Sequence, residues 1–166
     1  MNIIITGPRH CGKTTVIKKI IKGFNGSISG FVSEFNDRAS NTRELYVRNI
    51  SGTLSRCAVR WNNGPHELFP EVFEDFAADL IDTKSDLIII DELGKFEKNC
   101  SRLKNAVDFS ICSSCPVIVC IRLDADGWMQ ELKGRSDVMV ITVTEENRDS
   151  LPGDILNLIS NSCKKR

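Results

Sequence analysis

Apolar residues follow two spacings along the chain, and these predict its strands and helices. Continuous runs rich in β-branched residues are typical of buried strands in a parallel sheet. Apolar residues that recur every three or four positions are typical of helices with one buried face. The predicted buried strands span residues 2–6, 87–90, 117–121 and 138–143. The predicted helices span residues 16–24, 68–81, 96–111, 128–132 and 151–159.

A β-rich insert is predicted at residues 27–60, after the first helix. Residues 30–35 and 44–50 are predicted strands, and residues 55–60 are a possible third strand. Because only short turns separate them, these strands are expected to pair antiparallel. The remaining strands alternate with helices, so the predicted fold class is α/β, a three-layer sandwich of mainly parallel strands with an antiparallel β extension.

Composition limits the possible partners and the cellular environment. The length of 166 residues predicts a single domain over residues 1–166. The 22 Lys and Arg residues balance 22 Asp and Glu residues, so charge gives no reason to expect nucleic acid or an anionic membrane as a partner. No apolar run approaches the ~20 residues of a membrane-spanning helix. Seven scattered cysteines, including the isolated C-x-x-C pair of Cys112 and Cys115, favour reduced thiols in a cytoplasmic protein.

Residues 7–14, with the sequence GPRHCGKT, fit the phosphate-binding pattern G-x-x-x-x-G-K-[ST] at every fixed position. A predicted strand precedes the segment and a predicted helix follows it, as the motif requires. Glycines let the backbone approach phosphate closely, and the amino end of the helix attracts the anion. Lys13 is expected to bind the β and γ phosphates, and Thr14 to offer its hydroxyl to Mg²⁺. The predicted nucleotide-binding residues in this segment are Gly7, Pro8, Arg9, His10, Cys11, Gly12, Lys13, Thr14 and Thr15.

An acidic pair follows a predicted core strand, where Asp91 is succeeded by Glu92. Ligands bind at the carboxyl ends of strands in open α/β sheets, so this pair is expected to face the phosphate loop. Asp91 is predicted to hold Mg²⁺ together with Thr14, through a coordinated water. Glu92 is predicted to orient a water towards the γ-phosphate and to accept its proton, which makes Lys13 and Glu92 the predicted catalytic residues.

Two patterns could instead indicate a guanine-specific switch. Residues 91–94 fit the D-x-x-G of GTPases, and residues 83–86 resemble the guanine-reading T/N-K-x-D motif. The second motif precedes its strand and would face away from the phosphates. A guanine-specific switch is therefore not expected.

The charge that develops on a transferring γ-phosphate requires a further cation. Arg122, Arg135 and Arg148 each lie near the end of a predicted core strand and are candidates. Arg148 is counted among the predicted nucleotide-binding residues, either as this cation or in the base or ribose pocket. Lys95 and Glu97 are expected to fix the loop after the acidic pair through an ion pair.

Several segments resemble the THEP-type nucleoside-triphosphatases, the family that includes the cancer-related nucleoside-triphosphatase. The resemblance extends along nearly the whole chain and includes the phosphate loop, DELGKFE at residues 91–97 and TEENR at residues 144–148. It implies a P-loop NTPase fold and slow, Mg²⁺-dependent hydrolysis of ATP, GTP and other nucleoside triphosphates, with little preference for the base. In one segment the chain departs from the family pattern, because Glu44-Leu45-Tyr46 follow Arg43 where a glycine and an aromatic residue are usual.

Two other functions remain open from the sequence alone. A small-molecule or nucleotide kinase would carry the same phosphate loop and could use the insert or the loop at residues 123–135 as an acceptor site or lid, but no acceptor-binding residues are identifiable. A nucleotide-controlled binding module would use the β-rich insert as its partner surface. Phosphate release without an added acceptor would separate a hydrolase from a kinase, and nucleotide-dependent capture of a partner would favour the binding module.

Overall fold

A computed structural model of the protein describes residues 1–36, 42–62, 64–81 and 84–163. The strands are β1 (Asn2–Thr6), β2 (Ile28–Asn36), β3 (Thr42–Asn49), β4 (Ser55–Asn62), β5 (Glu67–Leu68), β6 (Leu87–Leu93), β7 (Val117–Ile121) and β8 (Val138–Thr142). The helices are α1 (Lys13–Gly23), α2 (Pro70–Phe76), α3 (Ala78–Ile81), α4 (Ser101–Cys112), α5 (Trp128–Lys133) and α6 (Leu151–Cys163). The strands form one sheet in the order β5-β4-β3-β2-β6-β7-β1-β8.

The sheet has a parallel part and an antiparallel part, which confirms the predicted fold class. The parallel part consists of β2, β6, β7, β1 and β8, which pair in parallel with one another in that order. Strands β3, β4 and β5 extend the sheet antiparallel from β2. Strand β7 lies between β1, which leads into the phosphate loop, and β6, which carries the acidic pair. The carboxyl ends of these three parallel strands therefore meet at one edge of the sheet, where ligands bind in such folds.

Both faces of the parallel part of the sheet are covered by apolar helix surfaces. Helices α2, α3, α4 and α5 pack on one face, and α1 and α6 pack on the other. The central strands need continuous apolar runs because their successive side chains enter opposite cores. In β6, for example, Ile88 and Ile90 enter the first core and Leu87 and Ile89 the second. None of the helices in the described ranges is long and apolar enough to cross a membrane.

Two of the predicted helices differ most from the observed ones. The helix predicted at residues 68–81 is divided into α2 and α3 at Ala77, and Leu68 instead pairs with Val59 in β5. Helix α2 starts at Pro70. The ring of proline favours the first helical position, and proline has no backbone N–H to donate within a strand pairing. Helix α4 begins at Ser101 instead of residue 96, because residues 95–99 form turns.

One predicted buried strand is only partly covered. Strand β8 is the last strand of the sheet, and Met139 and Val140 are 44% and 42% exposed. Strand β8 pairs with β1 on one side, and no described strand pairs with its other side. The continuous apolar sequence therefore predicted the strand but not its position as the outermost strand of the sheet.

Candidate active site

The phosphate loop connects β1 to α1, and its conformation depends on glycine. Gly7 has a φ of 149° and Gly12 a φ of 106°, values that residues with a β-carbon rarely adopt. A Cβ on Gly7 would lie 2.9 Å from both the Val143 carbonyl oxygen and Cys11 Sγ, closer than such atoms approach. The loop can therefore pack this tightly against the segment after β8 only with glycine at position 7.

Lys13 begins α1 and lies across the loop. Its side chain is 6% exposed, and Nζ donates hydrogen bonds to the carbonyl oxygens of Gly7, at 3.1 Å, and Pro8, at 2.9 Å. Helix α1 has no side-chain cap at its amino end, so its first backbone N–H groups have no side-chain acceptor. Thr14 and Thr15 follow in the same turn. The ammonium group and the uncapped helix end together form a cradle for an anion.

Asp91 lies near the carboxyl end of β6 and is fully buried. Neither of its carboxylate oxygens has a hydrogen-bond partner among the described residues. Burial raises the pKa of Asp91 to about 7; the adjacent Cys120 thiol, although it makes no hydrogen bond of good geometry, lowers this pKa, Glu92 raises it further and Lys13 lowers it. A buried carboxylate without a partner is costly, and a bound cation would satisfy both oxygens.

Cys120 completes a group of three potential metal ligands with Asp91 and Glu92. One ligand atom from each lies within 4.8 Å of the others, since Cys120 is level with Asp91 on the neighbouring β7. Burial raises the pKa of the Cys120 thiol well above its ordinary value, so the thiol stays protonated. The available ligands are then carboxylate oxygens, which suit a hard cation such as Mg²⁺. Cys120 was not identified from the sequence, because its proximity depends on the register of β6 and β7.

Glu92 lies at an irregularity in the pairing of β6 with β7. The register shifts between Asp91 and Leu93, so Glu92 has no partner residue opposite it. Its side chain is 29% exposed, and Arg122 Nε lies 3.8 Å from its carboxylate. Burial raises the pKa of Glu92, while Lys13 and then Arg122 lower it. The structure thus brings Lys13 and the acidic pair into one electrostatic environment.

A cavity of about 280 Å³ opens between the phosphate loop and the segment after β7. It contains Lys13 and one of the three candidate arginines, Arg122. Leu123 and Asp124 also line it and were not identified from the sequence, although their position after a core strand could have marked them. The lining residues are Gly7, Pro8, Arg9, Lys13, Arg122, Leu123 and Asp124.

The other two candidate arginines lie in different places. Arg148 packs against the phosphate loop, because a Cβ on Gly12 would lie 3.4 Å from Arg148 Cδ. Arg135 lies just before β8, at the end of the sheet where the parallel strands begin. It donates to Asp137 from Nε, at 2.9 Å, and from Nη2, at 2.7 Å. Arg135 is therefore at the opposite edge from the phosphate loop, and the expectation that it contacts nucleotide is not supported by its position.

A second cavity, of about 550 Å³, adjoins the other side of the phosphate loop. Its volume suits a small ligand such as a nucleoside. It is bounded by the loop, by Leu123 and by the segment after β8. The lining residues are Pro8, Arg9, His10, Cys11, Leu123, Thr142, Val143, Thr144 and Glu145.

The loop after the acidic pair is held by a different contact from the predicted ion pair. Among the described residues, no salt bridge joins Lys95 to Glu97; Lys95 Nζ instead lies 4.7 Å from the centre of the Phe96 ring. Glu97 is buried, and its carboxylate accepts a hydrogen bond from the Gly94 N–H at 2.7 Å. Burial raises the pKa of Glu97 to about 7. The predicted ion pair was wrong because Glu97 turns inward to satisfy the backbone of its own loop.

Comparisons with known proteins match this arrangement along nearly the whole chain. A family model described as NTPase matches residues 2–156. Nucleoside-triphosphatase THEP1 of Natranaerobius thermophilus is 30% identical, with 91% of this chain and 92% of the relative covered. The human cancer-related nucleoside-triphosphatase is 28% identical, with 98% of each chain covered. The crystal structure of THEP1 from Aquifex aeolicus has a TM-score of 0.80 at 26% identity, covering 96% of this chain and 99% of that chain.

Proposed function

The chain belongs to the NTPase family, and from this premise we propose that it hydrolyses nucleoside triphosphates to the diphosphate and phosphate in a Mg²⁺-dependent reaction. One observation carries the proposal. β1, which leads into the phosphate loop, and β6, which carries the acidic pair, both pair in parallel with β7, so Lys13 and the acidic pair lie at the same end of the sheet, where the Lys13 charge opposes the effect of burial on both acidic residues. Such a site has the parts needed to bind a triphosphate, a metal ion and an attacking water.

Phosphate binding is assigned to the loop and the first turn of α1. In the structure, the Lys13 ammonium donates to the Gly7 and Pro8 carbonyls. We propose that it turns from these carbonyls to the β and γ phosphates, whose charges make stronger hydrogen bonds. The backbone N–H groups of this segment, apart from Pro8, which has none, are proposed to surround the phosphate oxygens, as the positive φ angles of Gly7 and Gly12 permit.

Asp91 and Thr14 are proposed to hold Mg²⁺. The two unpartnered oxygens of Asp91, buried beside a protonated thiol, support a hard cation at this point. Bound Mg²⁺ would neutralise phosphate charge and orient the triphosphate. Its positive charge would also keep Asp91 ionised, against the effect of burial.

Glu92 is proposed to act on the water. Its carboxylate accepts a proton from the water as the water oxygen attacks the γ-phosphorus, and the bond from that phosphorus to the β–γ bridging oxygen breaks. The products are the nucleoside diphosphate and inorganic phosphate. Glu92 must be ionised to perform this step; burial raises its pKa, and Lys13 and Arg122 counteract that effect.

Broad base specificity and slow turnover are proposed from the family resemblance. The guanine-reading alternative lacks support, because Asp86 lies just before β6, at the edge away from the phosphate loop. Its carboxylate accepts hydrogen bonds from the Ser27 N–H and hydroxyl, both at 2.8 Å. Thr83 of the same motif lies outside the described residues. The second cavity, bounded by Leu123 and the segment after β8, is the proposed place for the base.

A cytoplasmic location is also proposed. The six cysteines with described side chains are free thiols, which suits a reducing compartment. The balanced charge of the chain gives no support for nucleic acid or a membrane as a main partner.

Phosphate release from ATP, GTP, CTP and UTP tests the proposal, each measured with Mg²⁺ and with EDTA and without any phosphate acceptor. The expected result is release from all four nucleotides with Mg²⁺ and almost none with EDTA. Formation of the nucleoside diphosphate only after addition of an acceptor, with the phosphoryl group on the acceptor and no free phosphate, would instead support a kinase. Absence of release under both conditions would contradict the proposed function.

A further inference from the structure

We infer that Arg122 is the arginine that contacts the transferring γ-phosphate and that Asp124 is its positioning residue. The inference rests on the proposed hydrolysis of nucleoside triphosphates and assigns two further roles in that site.

The Arg122 guanidinium is oriented by a two-point contact with Asp124. Nε donates to Asp124 Oδ1 and Nη2 to Asp124 Oδ2, each at 3.0 Å. This fork fixes the plane of the guanidinium and leaves its Nη1 group without a hydrogen bond to any described residue. Since Arg122 lines the same cavity as Lys13, the remaining donor is available to an anion bound there.

Gly94 provides the space that the Arg122 side chain occupies. A Cβ on Gly94 would lie 2.5 Å from Arg122 Cδ and 3.3 Å from Cγ. A side chain at position 94 would therefore displace the guanidinium without removing its charge. Gly94 follows the acidic pair by two residues, so the space for Arg122 is built into the same loop.

The backbone around Arg122 is tied to the strand that carries Glu92. The Arg122 N–H donates to the Leu93 carbonyl at 3.0 Å. From the other side, Lys133 Nζ donates to the carbonyls of Arg122, at 2.9 Å, and Leu123, at 3.3 Å. These bonds hold Arg122 in a fixed relation to Glu92, whose carboxylate lies 3.8 Å from its Nε. A preorganised cation of this kind stabilises charge without reorganising during the reaction.

Asp124→Asn tests the positioning role, because it keeps the size of the side chain and removes its charge and one acceptor oxygen. Asp137→Asn is the matched control, since Asp137 makes the same two-point contact with an arginine two residues away, Arg135, at the other edge of the sheet. We expect kcat for ATP to fall about 10-fold in Asp124→Asn, with KM within about 2-fold of the parent, because the guanidinium is misplaced but the phosphate loop is intact. We expect Asp137→Asn to match the parent.

Trapping with a transition-state analogue gives a second readout. Mg²⁺, ADP and aluminium fluoride form a mimic of the transferring phosphoryl group, and retention of fluorescent ADP after gel filtration measures the trapped complex. We expect the parent and Asp137→Asn to retain the nucleotide, and Arg122→Ala, Asp124→Asn and Gly94→Ala to lose it while still binding ADP alone. In Arg122→Ala, kcat should fall about 100-fold or more.

Added guanidinium at millimolar concentration should partly restore turnover in Arg122→Ala, but not in the double variant Arg122→Ala/Asp124→Asn, which lacks the carboxylate that holds the cation. Parent-like kcat and trapping in Asp124→Asn would overturn the positioning role, as would equal losses in Asp124→Asn and Asp137→Asn. If Arg122→Ala fails to fold, the trapping results for Asp124→Asn and Gly94→Ala test whether Arg122 contacts the γ-phosphate. A parent protein that releases no phosphate would contradict the proposed function itself, which is a distinguishable outcome.

Discussion

The buried carboxylate of Glu97 accepts a hydrogen bond from the backbone N–H of Gly94 at 2.7 Å, inside the loop that follows the acidic pair. This contact closes the loop on itself and holds it beneath Arg122. It also keeps an ionisable group away from water. The energetic consequence depends on pH, because burial raises the pKa of Glu97 from 4.5 to about 7.

Glu97→Gln should make the stability of the protein less sensitive to pH. Between about pH 4.5 and 7, folded Glu97 retains a proton that the unfolded chain releases, so the free energy of unfolding of the parent falls as pH rises. A glutamine oxygen can still accept from Gly94 but does not titrate. Thermal melts at pH 5 and pH 8 should show the Tm of the variant rising relative to the parent by several degrees over this interval. A relative Tm that does not change between the two pH values would contradict the prediction.

Asp91→Asn should increase stability while removing the response to Mg²⁺. At pH 8 the variant no longer contains a buried, unpartnered carboxylate, and we expect a gain on the order of 1–2 kcal/mol in the free energy of unfolding. Adding Mg²⁺ to ATP should raise the Tm of the parent further but not that of the variant. Differential scanning calorimetry with ATP, with and without Mg²⁺, measures both effects.

Asp79→Asn is the control for this experiment. Asp79, on α3, also has a buried oxygen without a described partner and a pKa raised by burial. Its substitution should stabilise the protein and leave the Mg²⁺ response intact. Loss of that response in Asp79→Asn as well, or its retention in Asp91→Asn, would contradict the assignment of Asp91 as a metal ligand.

Gly7→Ala should destabilise the protein and abolish nucleotide binding. A Cβ at this positive φ angle would meet the Val143 carbonyl at 2.9 Å, so the loop has to move. We expect a loss of about 1–3 kcal/mol in the free energy of unfolding. Urea denaturation and fluorescent ATP binding measure the two effects. Gly153→Ala, in α6, is the control, because nothing lies within 4 Å of its Cβ position and it should be neutral or slightly stabilising.

Lys13→Ala should weaken ATP binding by about 100-fold, because each charge-assisted hydrogen bond to phosphate contributes about 1.5–3 kcal/mol. Isothermal titration calorimetry with Mg·ATP measures the change in Kd. Lys19→Ala is the control, since Lys19 lies exposed on the same helix and pairs with Asp149 at 3.0 Å. Equal Kd values for Lys13→Ala and the parent would exclude a phosphate-binding role for Lys13.

The main elements of the fold could be predicted because local sequence determines them. The apolar runs of β1, β6 and β7 have to be buried on both faces, which is possible only in a covered parallel sheet. The place of β8 at the edge and the start of α4 could not be predicted in this way. The amino end of α4 is satisfied by a distant group, since the Leu103 N–H donates to the Glu74 carboxylate on α2 at 2.8 Å.

The residues of the candidate site also differ in whether local sequence could identify them. Lys13, Asp91 and Glu92 belong to local motifs and were identifiable from their order along the chain. Cys120 was not identifiable, because its role depends on the register of β6 and β7. The sequence could mark Asp124 only as a residue after a core strand, because its role depends on the direction of the Arg122 side chain. Arg135 and Arg122 look alike in the sequence, since each follows or precedes a core strand and has an aspartate two residues later. Only the position of the strand end in the sheet distinguishes them.

Glu92→Gln is the sharpest test of Glu92 as the residue that takes the proton from water, with phosphate release from Mg·ATP and ATP binding measured on the same protein. We expect a Kd for ATP close to that of the parent and a kcat lower by about 100-fold or more, because a glutamine can accept a hydrogen bond from the water but cannot take its proton. Glu71→Gln, at an exposed position on α2, should retain full turnover. A Glu92→Gln protein that releases phosphate as fast as the parent would contradict the role of Glu92 as the proton acceptor.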